Sequence, residues 1–247
     1  MLSSRNLAKH FDGVVAADQV SVEIAAGERV GLIGSNGAGK TTFVNMITGY
    51  LKPDAGAIEL EGRDITALGP RAIMRLGVAR SFQIPQLCAE MSVLDNMLVA
   101  AACGERRLSF FESAHTRDKI SASTRLLESF GLAEHAQRRV AELPGGVRKL
   151  LDIALAMTGK PKLLLLDEPT SGVSVEEKFP LMDTVMSAVS TDAGSATTVL
   201  FVEHDMEVVS RYASRVIAFY SGRVLADGPP AAVLNDADVR RHVTGEA

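Results

Sequence analysis

Val30-Gly31-Leu32-Ile33 is a short apolar run that leads straight into Gly34-Ser35-Asn36-Gly37-Ala38-Gly39-Lys40-Thr41-Thr42, after which Phe43, Met46, Ile47 and Tyr50 recur at helical spacing. Strand, glycine-rich turn and helix in that order constrain the fold more than any other stretch of the chain, because they make a βα unit. The pattern GxxxxGK[ST] also carries chemistry. Its glycines let successive backbone N–H groups converge on anionic oxygens, and the helix that follows presents its positive end. Lys40 is then placed to reach the β- and γ-phosphates of a nucleoside triphosphate, and Thr41 to ligate Mg2+.

The rest of the chain reads around this unit. Lys52-Pro53-Asp54-Ala55-Gly56 is turn chemistry, and Ile58, Leu60 and Glu61-Gly62 predict a small hairpin that gives the first lobe a β-rich edge. Ser92 with Asp95 reads as a helix start, and Ile120, Leu127 and Phe130 line one face of a helix that Gly131 can close. Residues 86–158 are expected to be almost wholly helical. Leu163–Leu166 and Val199–Val202 are apolar on both faces, as strands buried in a parallel sheet must be. Val216–Tyr220 and Val224–Ala226 predict a closing hairpin, followed by a polar C-terminal helix with Arg240-Arg241. Pro180 falls inside the helix that Ser174 and Glu177 would start, so that helix is expected to be kinked or to begin later.

Bulk properties remove several classes. A formal net charge of -4 offers no general attraction to phosphate backbones, so no nucleic-acid partner is expected. The start Met1–Asn6 is polar and no run reaches a bilayer-spanning length, which predicts a chain soluble by itself. Cys88 and Cys103 lack CxxC or Cys/His spacing, which argues against a zinc site or a disulfide framework. The basic pairs Arg106-Arg107, Arg138-Arg139 and Arg148-Lys149 suit either a partner surface or solvated helix faces.

Asp167-Glu168 follows the apolar run Leu163–Leu166, at the carboxyl end of a buried strand, where open α/β sheets bind ligands. Asp167 suits Mg2+, directly or through water, and Glu168 suits the polarisation of an attacking water. A GTPase would need DxxG and NKxD motifs, and neither string occurs.

With the phosphate loop, Leu163–Thr170 and Val202-Glu203-His204-Asp205 in this order, the chain resembles the ATP-binding subunits of ABC transporters over nearly its whole length. The resemblance implies an α/β fold: a P-loop NTPase (RecA-like) core with a β-rich edge and an inserted helical subdomain, the core from 1–85 and 159–247 and the helical part at 86–158. It implies ATP and Mg2+ as ligands. ATP would be held by Phe11, stacked on adenine, by Gly34, Ser35, Asn36, Gly37, Ala38, Gly39, Lys40, Thr41 and Thr42, and by Gly145 and Gly146 across a dimer. Mg2+ would be held by Thr41, Gln83 and Asp167, and hydrolysis would be served by Glu168, His204 and Gln83. Within the family, Asp64-Ile65-Thr66, Gly77 through Gln83-Ile84-Pro85, and Ala226-Asp227-Gly228-Pro229 look most like importers of branched-chain amino acids and related amides.

The sequence also departs from the family. The signature loop, usually Leu-Ser-Gly-Gly-Gln, reads Leu143-Pro144-Gly145-Gly146-Val147, so a phosphate-touching hydroxyl is missing, and Ser174 stands where an acidic or amide residue is usual. Gly145 and Gly146 still offer N–H groups at the start of a helix expected over Arg148–Met157. The implied partners are a second ABC ATPase in a homo- or heterodimer, permease subunits docking at Ile84, Pro85 and Leu87 beside Gln83, and, indirectly, a periplasmic or surface binding protein. The implied location is the cytoplasmic face of the cell membrane. A nucleotide-regulated module with little turnover is the alternative that Pro144 suggests, and a soluble nucleic-acid ATPase would need a second fused unit or a long coiled coil.

Overall fold

The computed structural model describes residues 1–104, 116–190 and 197–245. Arg106-Arg107 and the rest of 105–115 lie outside the described residues. The chain divides into two compact units, one of Met1–Leu76 with Thr198–Ala247 and one of Gly77–Thr197.

The first unit opens with β1 (Leu2–Phe11) and β2 (Val14–Ile24), then β3 (Arg29–Gly34), α1 (Lys40–Ile47), β4 (Ala55–Leu60), β5 (Arg63–Asp64) and α2 (Pro70–Arg75). β1 lies antiparallel between β2 and β4, and β5 extends this sheet antiparallel to β4. Ala17, Val20, Val22 and Ile24 of β2 are buried while Ser21 and Glu23 are exposed, the alternation of a sheet with one covered face. The helix after β3 is shorter than its apolar spacing predicts. It stops at Ile47 because Gly49 turns left-handed at φ 74°, and Tyr50 lies beyond it, exposed.

In the second unit, β6 (Val78–Ser81) is followed by α3 (Val93–Gly104), α4 (Arg117–Ser129), α5 (Gly145–Met157), β7 (Leu163–Asp167) and α6 (Val175–Ser190). β6 and β7 are parallel, from Val78 opposite Leu163 to Ser81 opposite Leu166. The expected start of α3 is built as a cap: Ser92 Oγ accepts the Asp95 N–H at 3.0 Å and donates to the Asp95 carboxylate at 2.7 Å. Gly131, at φ 65°, ends the turn after α4. α6 does not begin after Pro180; it starts at Val175 and carries the proline inside. Both Pro180 and Glu176, whose carbonyl loses its helical partner to the ring, are exposed, so water can satisfy that carbonyl.

The chain returns to the first unit with β8 (Thr198–Val202), α7 (Met206–Tyr212), β9 (Arg215–Tyr220), β10 (Arg223–Gly228), α8 (Pro230–Leu234) and α9 (Ala237–Val239). β3 lies between β9 and β8, parallel to both, and β10 closes the edge antiparallel to β9. Val30, Leu32, Leu200, Phe201, Ile217 and Phe219 are fully buried, which is why these strands read as continuous apolar runs. The polar C-terminal segment is not one helix. Asp236 restarts the chain by accepting the N–H groups of Asp238 and Val239, and a π turn over Arg240–Thr244 follows. No described helix is long and apolar enough to cross a membrane.

Candidate functional site

The phosphate loop is held by its own unit. The Ala38 N–H donates to Ser35 O at 3.1 Å, and the Gly222 N–H, from the β9–β10 turn, donates to Ala38 O at 3.0 Å. Lys40 is buried and folds back along the loop, its ammonium donating to Gly34 O at 2.6 Å and Ser35 O at 3.1 Å. Asn36, Gly37 and Thr41 are exposed and Thr42 is half-buried. Gly39 caps α1 with no side-chain hydrogen bond, so the first-turn N–H groups are not consumed by a capping residue.

Two glycines in this loop differ in why they are glycine. Gly39 has φ 106°, and a Cβ there would lie 2.6 Å from Ala16 O, whereas Gly37 has φ 79° with nothing within 4 Å of a Cβ. Gly37→Ala is therefore expected to cost only the left-handed backbone penalty of about 1 kcal/mol. Gly39→Ala adds an overlap with backbone that cannot move aside, for a total of about 2–4 kcal/mol. Urea midpoints of the two variants check this, and equal losses would refute it.

The same Ala16 contact sets the β1–β2 hairpin against the loop, and Phe11 stands at the tip of that hairpin, 46% exposed, with the Lys9 ammonium 5.6 Å from its ring centre. His204 is placed by register. Leu32 of β3 pairs with Val202 of β8, so His204, two residues on, is level with Gly34 where the loop begins. It is exposed, and Asp205 beyond it caps α7 by accepting from Glu207 N and Val208 N.

The second unit assembles the carboxylates. The β6–β7 register puts Gln83 level with Glu168, and the Gln83 amide donates to Glu168 Oε2 at 2.6 Å. Glu168 adopts φ 47°, a left-handed conformation that costs a non-glycine residue about 1–2 kcal/mol and turns its side chain out of the strand direction. Asp167 is paired with Arg80 at 2.6 Å, both side chains largely buried. Lys149 is buried on α5 and donates to Phe82 O at 3.0 Å, Gln83 O at 3.2 Å and Asp167 O at 3.4 Å. It is not on a solvated helix face, because these carbonyls offer its ammonium a full set of acceptors. Three residues along, Asp152 accepts the Ser81 hydroxyl at 2.6 Å and the Gln86 N–H at 3.3 Å.

α5 begins at Gly145, one turn earlier than Arg148, so Gly145 and Gly146 are its first residues and their N–H groups lie at its positive end. Pro144 takes the capping position with φ -57° and no side-chain hydrogen bond. Arg80, Lys149 and Asp152 escape sequence reasoning. The one available signal is a Lys and an Asp three apart in a helix that, Arg148 aside, is otherwise apolar. Among the described residues, no three His, Cys, Asp or Glu side chains gather as a metal cluster.

Burial pushes the Asp152 carboxyl above the usual carboxylate range, against the opposing pull of the Ser81 hydroxyl, the Gln86 N–H and Lys149. The folded chain thus holds this proton more tightly than the unfolded one. The resulting stability is complete below the unfolded pKa of about 3.9 and is lost as pH rises through the higher native value. Asp152→Asn removes that dependence, so wild type is expected to lose ground to the variant as pH rises from about 4 to 7. A difference in urea midpoint that does not change with pH would contradict this.

The ABC transporter family model matches residues 17–171. A high-affinity branched-chain amino acid transport ATP-binding protein of Salmonella typhimurium, LivG, is 37% identical, the alignment covering 100% of this chain and 98% of that protein. Its counterpart BraF of Pseudomonas aeruginosa is 33% identical over 100% of this chain and 98% of its own length. Among solved structures, the ADP conformation of MJ1267, an ATP-binding cassette of an ABC transporter, superposes with a TM-score of 0.87 at 31% identity, covering 98% of this chain and 97% of the other.

Proposed function

Since the chain belongs to the ABC transporter family and is its ATPase, coupling ATP hydrolysis to transport, we propose that it energises an importer of branched-chain amino acids or related amides. The observation that carries the cargo is a likeness to branched-chain transport proteins that runs from one end of the chain to the other.

In this reading the loop Gly34–Thr42 and the positive end of α1 bind the phosphates of ATP, with Lys40 on the β- and γ-phosphates and Phe11 against the adenine. The donors assigned to Mg2+ are the Thr41 hydroxyl, the Gln83 amide oxygen and the Asp167 carboxylate. All are oxygens, the ligand class that hard cation takes alongside waters. The bound cation would neutralise charge on the phosphates. Glu168 accepts a proton from, and orients, the attacking water, and its left-handed turn and the Gln83 hydrogen bond support that role. His204 contacts the γ-phosphate.

Gly145 and Gly146 would face the nucleotide of a second ABC ATPase, so the working unit is a dimer. Residues 86–158 serve as its helical subdomain. Ile84, 74% exposed, with Pro85 and half-buried Leu87 forms the apolar surface that receives the permease subunits at the cytoplasmic face of the membrane, and a binding protein acts indirectly on the far side. Pro144, which brings no hydroxyl to the head of α5, favours a second reading in which this chain contributes the weaker signature of a heterodimer and turns over slowly.

Uptake of labelled leucine, isoleucine and valine into vesicles carrying the intact complex tests the cargo. Saturable ATP-dependent uptake is expected, and ATP turnover without uptake of any of the three would overturn the branched-chain cargo and leave the ATPase in place.

A further inference from the structure

We propose that Lys149 is a positioning residue for hydrolysis: it ties helix α5 to the loop bearing Gln83 and to the turn bearing Asp167 and Glu168. The inference rests on Gln83 and Glu168 serving hydrolysis as proposed above. Lys149 has three donors and meets three backbone carbonyls, of Phe82, Gln83 and Asp167, at 3.0, 3.2 and 3.4 Å. Asp152, on the same helix face, holds the loop again at the Ser81 hydroxyl and the Gln86 N–H. Helix α5 therefore grips the segment 81–86 near both ends and the end of β7 as well.

Burying an ammonium is costly, and an apolar side chain of similar volume would hold helix and strands together at least as well. A cation here does what an apolar group cannot, which is to orient carbonyls. The Gln83 carbonyl and the Asp167 carbonyl flank the two residues joined by the Gln83–Glu168 hydrogen bond. Gly145 and Gly146 lie one turn before Lys149 on the same helix. A load applied at that end of α5 therefore reaches Gln83 and Glu168 through one side chain. Lys149 acts on turnover rather than on nucleotide capture, because the carbonyls it holds belong to the segments bearing Gln83 and Glu168.

The test compares Lys149→Met and Lys149→Arg with wild type in the full chain, reading kcat and KM for ATP and, separately, the affinity for a fluorescent ATP analogue in EDTA. Lys149→Met is expected to lower kcat on the order of 10- to 100-fold, as a misplaced catalytic constellation does. The analogue's affinity should change by less than about twofold, since none of the three carbonyls that Lys149 meets belongs to the phosphate loop. Lys149→Arg should recover most of the lost kcat. Wild-type kcat in Lys149→Met, equal loss in both variants, or a matching loss of analogue affinity each overturns the assignment. Should Lys149→Met fail to fold, Ser81→Ala cuts the same grip at the Asp152 end, with the same pattern of lowered kcat and kept affinity expected. Failure of both to give folded chain makes the cluster structural support only. If Glu168→Gln hydrolyses ATP as fast as wild type, the reading of Glu168 falls; if only Lys149→Met matches wild type, the present inference alone falls.

Discussion

Replacing Lys40 by Met is expected to weaken ATP binding by about a hundredfold, since two charge-assisted hydrogen bonds of about 1.5 kcal/mol each are lost and 1.4 kcal/mol is a factor of ten. The ammonium is already held at the loop by Gly34 O and Ser35 O, so little side-chain freedom remains to be lost on binding. Those two carbonyls also predict a secondary effect: the variant should unfold at a slightly lower temperature, because Met leaves them without this donor. Titration with a fluorescent ATP analogue, alongside thermal unfolding, separates the two effects. An unchanged dissociation constant in a folded variant would remove Lys40 from the phosphate site.

Glu168→Gln is expected to do the reverse, leaving affinity intact and lowering kcat by about a hundredfold or more, the usual worth of a positioned base. Gln matches Glu in shape, tolerates the same backbone strain, and can still accept the Gln83 amide hydrogen through its own carbonyl oxygen. The geometry should therefore survive while the proton acceptor is lost. Single-turnover hydrolysis measured beside nucleotide binding reads the two quantities apart. A rate within a few-fold of wild type would mean that water is activated elsewhere.

The parts of the fold that depend on neighbours in sequence could be read from sequence. The strand, loop and first turn of α1 follow from residues 30–43 alone, and the β7 carboxylates follow from four leucines and the two acids after them. Tyr50 failed because helical spacing continues past the point where Gly49 reverses the backbone. The C-terminal helix failed because Asp236 makes a better cap than a helix interior residue. Arg80 could not be found at all: its partner Asp167 is 87 positions away, and nothing local marks an arginine on a short strand as half of a buried pair. Lys149 reads from sequence as a surface residue, on a partner face or a solvated one, for a general reason. A basic residue on a helix is usually solvated, and only the arrival of carbonyls from two other segments makes it otherwise. β7 reads as a strand from its four leucines, whereas β6 carries no such run, and its place beside β7 comes from pairing with residues far along the chain.

With Glu168 as the proposed base, its left-handed backbone sets stability and turnover against each other at a single position. Asn or Gly would sit there with less strain, so selection for a sturdier chain alone would drift toward removing the carboxylate proposed to activate water. A homologue carrying such a residue would gain robustness as it lost the reaction, and could persist as a durable but silent half of a pair. If Glu168 serves hydrolysis as proposed, a glutamate at this angle gives up folding stability for turnover.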